Sequence, residues 1–344
     1  MEMHTAFLLL VLVCTSFIRL SADQNNVSSF SVQEGGLVFE DTTGQTKVKN
    51  GALDEQGKLR ALGKAGQAFS LDVGFNFGQT TIIWTREQQG QSVFVIGIEA
   101  NANLVRNWER DEFASRLEGV LNEPVVLTPY RDKVMLIHAA ATTHSGKVAK
   151  LNPGYGYKEN VELVGTGSLL KWKHKEKEKE RLRHASKHMN VKTIQLSDIL
   201  TFVPEPRFPD FVWDTLKVDV QGLDTDALIS AGDFVDRFMC INGEFGSFHY
   251  QNEDPEGGGK GKEKQDSKFE TDPTAFLTQH QFRRVHWTEA PDCQIWLNAR
   301  PEYISLYRKD PSRFGCDKVY DCRDEPMKLL QRFDEAKGEQ VDYP

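Results

Sequence analysis

The chain has little of what marks a nucleic-acid binder, a zinc protein or a multi-span membrane protein. Its 42 Lys and Arg are outnumbered by 50 Asp and Glu, giving a net charge of -8 over 344 residues. With a pI near 5.7, no general nucleic-acid-binding surface is expected, which leaves room for local basic patches, and no nucleic-acid partner is expected. There are only five cysteines, and none falls in the paired spacing of a zinc site, so no metal is expected. No fixed-period repeat occurs. After the first two dozen residues no apolar run is long enough for a bilayer, which takes about 20 residues. What remains is a length able to bury one large core, read as one domain with embellishments.

The apolar run is at the start. Met1 to Ala22 contains Ala6 to Ile18, ended by Arg19, with Ser21 and Ala22 as small residues for cleavage. It reads as a secretory leader, with an uncleaved short anchor as the alternative because Lys and Arg are missing before the run. The expected location is therefore the ER or Golgi lumen, or outside the cell. Four cysteines then remain. Cys316 and Cys322 are expected to close a short loop in a polar tail, while Cys240 reads as a buried thiol or the partner of Cys293. Asn26-Val27-Ser28 is an N-glycosylation acceptor.

The chain is organised around Ala68 to Trp84. An apolar run ends in Asp72, a turn of Gly74, Asn76 and Gly78 follows, and an apolar-periodic segment begins. This pattern predicts a buried strand, a tight loop and a helix start, the layout of a ligand site at the carboxyl edge of a parallel sheet. Similar runs end at Glu99, His138 to Ala141, Gly222 and Glu244, with helical patterns between them. Ser92–Glu99, Val134–Ala141, Thr215–Gly222 and Phe238–Phe245 are predicted strands. A terminal strand pair lies near 284–287 and 294–298. The alternation predicts an α/β fold with right-handed crossovers. Residues 23–67 read as a polar lead-in, 173–188 and 254–268 as solvated insertions, and 309–344 as a polar tail.

Four segments then stand in order: Asp72-Val-Gly-Phe-Asn-Phe-Gly-Gln79, Ile98-Glu-Ala-Asn101, Thr193 to Leu200, and Leu216-Lys-Val-Asp-Val-Gln-Gly-Leu-Asp224. Together, over roughly 68–300, they resemble the FkbM-type methyltransferases. The resemblance implies a Rossmann-like class I methyltransferase fold: a mostly parallel seven-stranded sheet with helices on both faces and an antiparallel terminal strand. It also implies S-adenosylmethionine as cofactor. Asp72, Gly74, Asn76 and Gly78 would hold its amino-acid end, and Glu99, beside Asn101, would take the ribose hydroxyls. His138 and Ala139 would lie near the adenine, while Asp219 and Gly222 would face the reacting methyl group. Phe75 and Phe77 are bulkier than the pattern expects, Ala100 and Ala102 stand where Pro is frequent, and Gln221 replaces an acid.

Methyl transfer to a hydroxyl needs alignment, exclusion of water and a base. The candidate catalytic residues are Asp219, His249 and Glu244, and the expected acceptor is a hydroxyl on a glycan or small metabolite. Two other readings compete. Asp224-Thr-Asp226 has the acid-x-acid form of a metal-dependent glycosyltransferase, and the departures at Phe75, Phe77 and Gln221 permit a binding module that kept the fold without the chemistry.

Overall fold

The computed structural model describes residues 29–33, 36–40, 56, 58–59, 61–87, 92–109, 117, 127, 130, 133–151, 171–172, 189–245, 250–251, 272–287, 293–319 and 324–336. The leader, Asn26, His249, Cys322 and the stretches 173–188 and 254–268 lie outside them.

Seven strands form the central sheet: β1 (Gln67–Val73), β2 (Ser92–Glu99), β3 (Val134–His138), β4 (Phe211–Val218), β5 (Phe238–Glu244), β6 (Phe282–Trp287) and β7 (Cys293–Asn298). Their spatial order is β6-β7-β5-β4-β1-β2-β3. All neighbours from β5 to β3 run parallel, and β7 is antiparallel to both β5 and β6. This is the predicted seven-stranded, mostly parallel Rossmann-like sheet, and its antiparallel strand is the last in sequence.

β1 shows why the sheet is central. Every residue from Gln67 to Val73 is buried, and alternate side chains point to opposite faces. Phe69, Leu71 and Val73 join one core with Ile199, Leu200, Leu228, Val235 and Leu277. Those partners come from α3 (Leu196–Leu200), α4 (Asp224–Ile229), a 3-10 turn and α5 (Thr274–Gln279). Ala68 points the other way, into a core with Trp84 of α1 (Gln79–Glu87), Tyr303 and Tyr307 of α6 (Pro301–Lys309), and Leu329 and Phe333 of α7 (Pro326–Glu335). A sheet covered on both faces accounts for continuous apolar runs in place of alternation. Among the described residues, no helix is long and apolar enough to cross a membrane.

Several elements differ from expectation. β4 starts at Phe211, ahead of the predicted Thr215, and its register on β1 shifts between Trp213 and Leu216. The predicted third strand breaks at Ala139. Ala140–Ala141 leaves the main sheet and pairs in parallel with Met189–Ile194, which pairs antiparallel with Val148–Leu151. The described residues after 309 are more than a polar tail, because Phe314, Val319, Leu330 and Phe333 are buried in the second core.

The cysteine pairing also differs. Cys240 of β5 is bonded to Cys316, with Cα atoms 5.8 Å apart, so the expected Cys316–Cys322 bridge is not formed. Cys293 is likewise disulfide-bonded. The physical reason is that Cys316 is carried onto the sheet by its neighbours. Asp214 accepts from the Gly315 amide through both oxygens, at 3.1 and 3.0 Å. Trp84 Nε1 donates to the Gly315 carbonyl, and Asn242 Nδ2 to that of Cys316. Asp214, Cys240 and Cys316 bring potential metal ligands together, but both sulfurs are committed to the disulfide.

The bridge spans 76 residues of sequence, a loop whose closure contributes about 4 kcal/mol in the chain-entropy view. Cys316→Ala is therefore expected to lower the unfolding free energy by roughly 2–5 kcal/mol, measured by denaturant titration. A loss below about 0.5 kcal/mol would show that the Gly315 contacts alone hold the segment.

Candidate active site

The order of the sheet reverses at β1, with β2 on one side and β4 on the other. Crossovers leaving in opposite directions open a crevice beyond the carboxyl ends of those strands, where open α/β sheets take their ligands. An open cleft of about 530 Å³, solvent at its mouth included, lies there. Its walls include Gly74 and Asn76 after β1, Glu99 and Ala100 after β2, Ala139 to Ala141 after β3, and Asp219 to Gln221 after β4. Gly74 has φ +79°, and a Cβ at that position would stand 1.7 Å from the Asp219 carbonyl oxygen. Only glycine lets the two strand ends approach so closely.

Glu99 is the most constrained acid at the cleft. Its Oε2 accepts from the Asn76 amide and its Oε1 from the Asn101 amide, each at 2.8 Å. These two bonds tie the ends of β1 and β2 together. Burial outweighs them, and the Glu99 pKa is pushed up to about 7. Asn101, just before α2 (Ala102–Glu109), is buried and accepts from the Asn103 amide at 3.0 Å, a helix-capping contact. It serves the cleft by holding Glu99, not by lining it. Asn76 has φ +56°, and its buried Oδ1 has no hydrogen-bond partner.

Opposite Glu99 stands Asp219. Gln221 Nε2 donates to its Oδ1 at 2.7 Å and reaches Glu244 Oε2 at 3.4 Å. Lys217 Nζ lies 3.5 Å from its Oδ2. Gln221 adopts φ +58°, a left-handed conformation that is uncommon outside glycine and that the amide bridge helps to hold. Of the expected catalytic residues, the structure thus brings together Asp219 and Glu244, and His249 lies outside the described residues.

Other expected site residues take different positions. Asp72 is fully buried beneath the cleft, accepting from Thr81 Oγ1 at 2.8 Å and from Lys217 Nζ at 3.1 Å. Burial raises its pKa against the opposing ammonium of Lys217. Gly78 does not line the cleft either. It gives room to Phe75 and Trp108, whose ring atoms would stand 2.7 and 2.8 Å from a Cβ there. His138 lies behind Ala139, its Nε2 3.1 Å from the Ala100 carbonyl. The carbonyl can only accept, so Nε2 carries the proton, and burial keeps the ring's pKa low. Ala139 lines the cleft.

Two sequence departures become intelligible. Phe75 turns away from the cleft and packs edge-on against Trp108, ring centroids 4.9 Å apart, and Phe77 rests against the same cluster. Their bulk therefore does not fill the ligand space. The acid-x-acid pair is also accounted for: Asp224 accepts from the Val220 and Gly222 amides at 2.8 and 2.9 Å. Both its oxygens shape the cleft-lining loop after β4. Burial, aided by Asp219, pushes its pKa up to about 7. Asp226 is two residues further along the helix and half-buried, and burial raises its pKa.

Sequence reasoning missed Lys217, which meets Asp72, the Gly74 carbonyl and Asp219. A lysine inside an apolar strand was the available signal, since a buried ammonium needs partners. Gln221 was noted only as a lost acid, not as a bridge.

The raised Glu99 value has a thermodynamic consequence. The folded state still holds this proton at pH values where the unfolded chain, near 4.5, has released it. Its contribution to stability is therefore full below about pH 4.5 and falls as pH rises toward 7. Glu99→Gln should make the slope of unfolding free energy against pH less negative in that window, by up to about 1.4 kcal/mol per pH unit. Identical slopes in the two proteins, followed by denaturant unfolding at several pH values, would contradict the raised value.

Comparison with known proteins identifies a family. A family model described as the methyltransferase FkbM domain matches residues 72–284. A solved structure, the methyltransferase FkbM from Methylobacillus flagellatus KT, is similar at 12% identity with a TM-score of 0.36, covering 71% of this chain and 48% of that one. The chain thus spans about half of that protein's length. No match was found among curated proteins. The family match takes in all four strand-end segments that wall the cleft and more than half of the sequence, and the chain belongs to the FkbM methyltransferase family.

Proposed function

We propose that the protein transfers a methyl group from S-adenosylmethionine to a hydroxyl of a glycan or small metabolite in the secretory pathway. The observation that carries this reading is Glu99, a carboxylate fixed by two backbone amides at the end of β2 and facing a cleft across from Asp219. An acid at that strand end accepts from ribose hydroxyls. The other cleft groups fit the same cofactor. Asn76 Oδ1 is a buried acceptor without a partner, suited to an ammonium or hydroxyl. Ile98, Leu104, Ala139 and Leu151 give an apolar wall for a flat base. When bound, the cofactor supplies an electrophilic methyl group.

The chain's own part is alignment, exclusion of water and proton removal. Asp219 is oriented by Gln221 on one oxygen and Lys217 on the other, with the carboxylate at the cleft wall. It accepts the proton of the acceptor hydroxyl, with Glu244 held beside it through the same amide. The secretory assignment is supported by the apolar leader and by disulfide-bonded Cys240, Cys316 and Cys293, because such bonds persist in oxidising compartments.

Asp219→Asn keeps the shape and removes the base. It is expected to lower transfer of labelled methyl to a glycan hydroxyl by about 10²–10⁴-fold, with S-adenosylmethionine affinity within about threefold of wild type, a shift of under 1 kcal/mol. Equal loss of transfer and binding would sink the base assignment. Absence of transfer by wild type to hydroxyl acceptors, alongside transfer to an amine or carboxylate, would overturn the acceptor class.

A further inference from the structure

Lys217 carries one more inference, which rests on the methyltransferase reading. An ammonium has three donors: Lys217 Nζ donates to Asp72 Oδ1 at 3.1 Å and to the Gly74 carbonyl at 2.8 Å, and it forms an ion pair with Asp219 Oδ2 at 3.5 Å. These partners belong to different parts of the site. Asp72 lies in β1 beneath the cleft and is wholly buried. Gly74 begins the loop that carries Asn76, and Asp219 begins the loop that carries Gln221. Lys217 and Asp72 are register partners on adjacent parallel strands, so the ammonium rises between the two strand ends. Balancing the Asp72 charge would require only the first contact. The other two fix the separation of the walls on either side of the switch point.

We propose that Lys217 is a positioning residue with two separable roles. Its charge balances Asp72 in the core, and its remaining donors clamp the Gly74 loop to Asp219 and so hold the cofactor side of the cleft in register with the acceptor side. Gly74 cannot do this alone. Its amide donates to Ile98 of β2 at 2.9 Å, which ties it away from β4, and only its carbonyl faces the lysine. The Asp219 amide in turn donates to the Val73 carbonyl at 2.9 Å, which sets the backbones but leaves the Asp219 carboxylate to be placed by Lys217 and Gln221.

The two roles are separated by removing the charge pair as a unit. Lys217→Met alone strands a buried carboxylate and is expected to lower Tm by about 10 °C. Adding Asp72→Asn leaves a neutral pair that still accepts from Thr81, and Tm should return to within a few degrees of wild type. S-adenosylhomocysteine is then titrated calorimetrically into wild type and the double variant. The expected result is recovered Tm with at least tenfold weaker binding in the double variant. Lys217→Gln with Asp72→Asn retains an amide donor group at position 217 and should regain part of the lost affinity. Binding within threefold of wild type in a folded Lys217→Met, Asp72→Asn protein would show that Lys217 is only a counter-ion. Failure of both double variants to fold would also contradict the proposal, because the roles would not be separable. A folded wild type that does not bind S-adenosylhomocysteine would remove the methyltransferase reading itself, and this inference with it.

Discussion

The close pairing of β1 with β4 is the constraint on which the rest of the structure depends. The two strands meet at the sheet's point of reversal, where Gly74 comes so near the Asp219 carbonyl that no side chain fits between them. Everything at the cleft is referred to that contact. Glu99 is tied to it through the Asn76 amide, and Asp224 folds the loop beyond Asp219 back on itself. The lysine at 217 fills the junction from below. A site made this way needs few ligand-contacting side chains, because backbone amides and carbonyls at strand ends do much of the positioning.

Burial explains the chemistry of the acids. Glu99 and Asp224 both sit near pH 7 in the folded protein, yet each accepts two backbone amides. The amides favour the charged form, and burial costs more than they return. Such groups change charge near neutral pH. Asp72 differs in having an ammonium as its partner, so its role is internal and its removal is a question of core stability before it is one of ligand binding.

Much of the sheet was legible in the sequence, for a physical reason. Strands buried on both faces read as unbroken apolar runs, and those around Leu71, Ile96 and Ile241 each lead into a polar strand end. The positions of Glu99, Gly74 and Asp219 at strand ends were legible because each closes or follows an apolar run. Other features were hidden by distance along the chain. Phe314 stands alone after a polar turn, and only the amphipathic spacing of α7 marks Leu330 and Phe333 as core. The Cys240–Cys316 bond depends on the docking of Gly315 against Asp214, which local spacing does not show. Phe75 looked obstructive in the loop, yet its ring turns toward Trp108 because Gly78 and Gly97 leave room for it. The early start of β4 at Phe211 was hidden because Asp214 interrupts the apolar run, although it is buried against the Gly315 amide.

The central claim is that the cleft between the ends of β1, β2 and β4 is where the cofactor sits. A crystal structure grown at saturating S-adenosylhomocysteine tests it most directly. The expected density has ribose hydroxyls on the Glu99 carboxylate, the amino-acid end beside Gly74 and Asn76, and the sulfur directed toward Asp219. Density for the ligand elsewhere on the molecule, or a cleft that remains empty at saturation, would contradict the account.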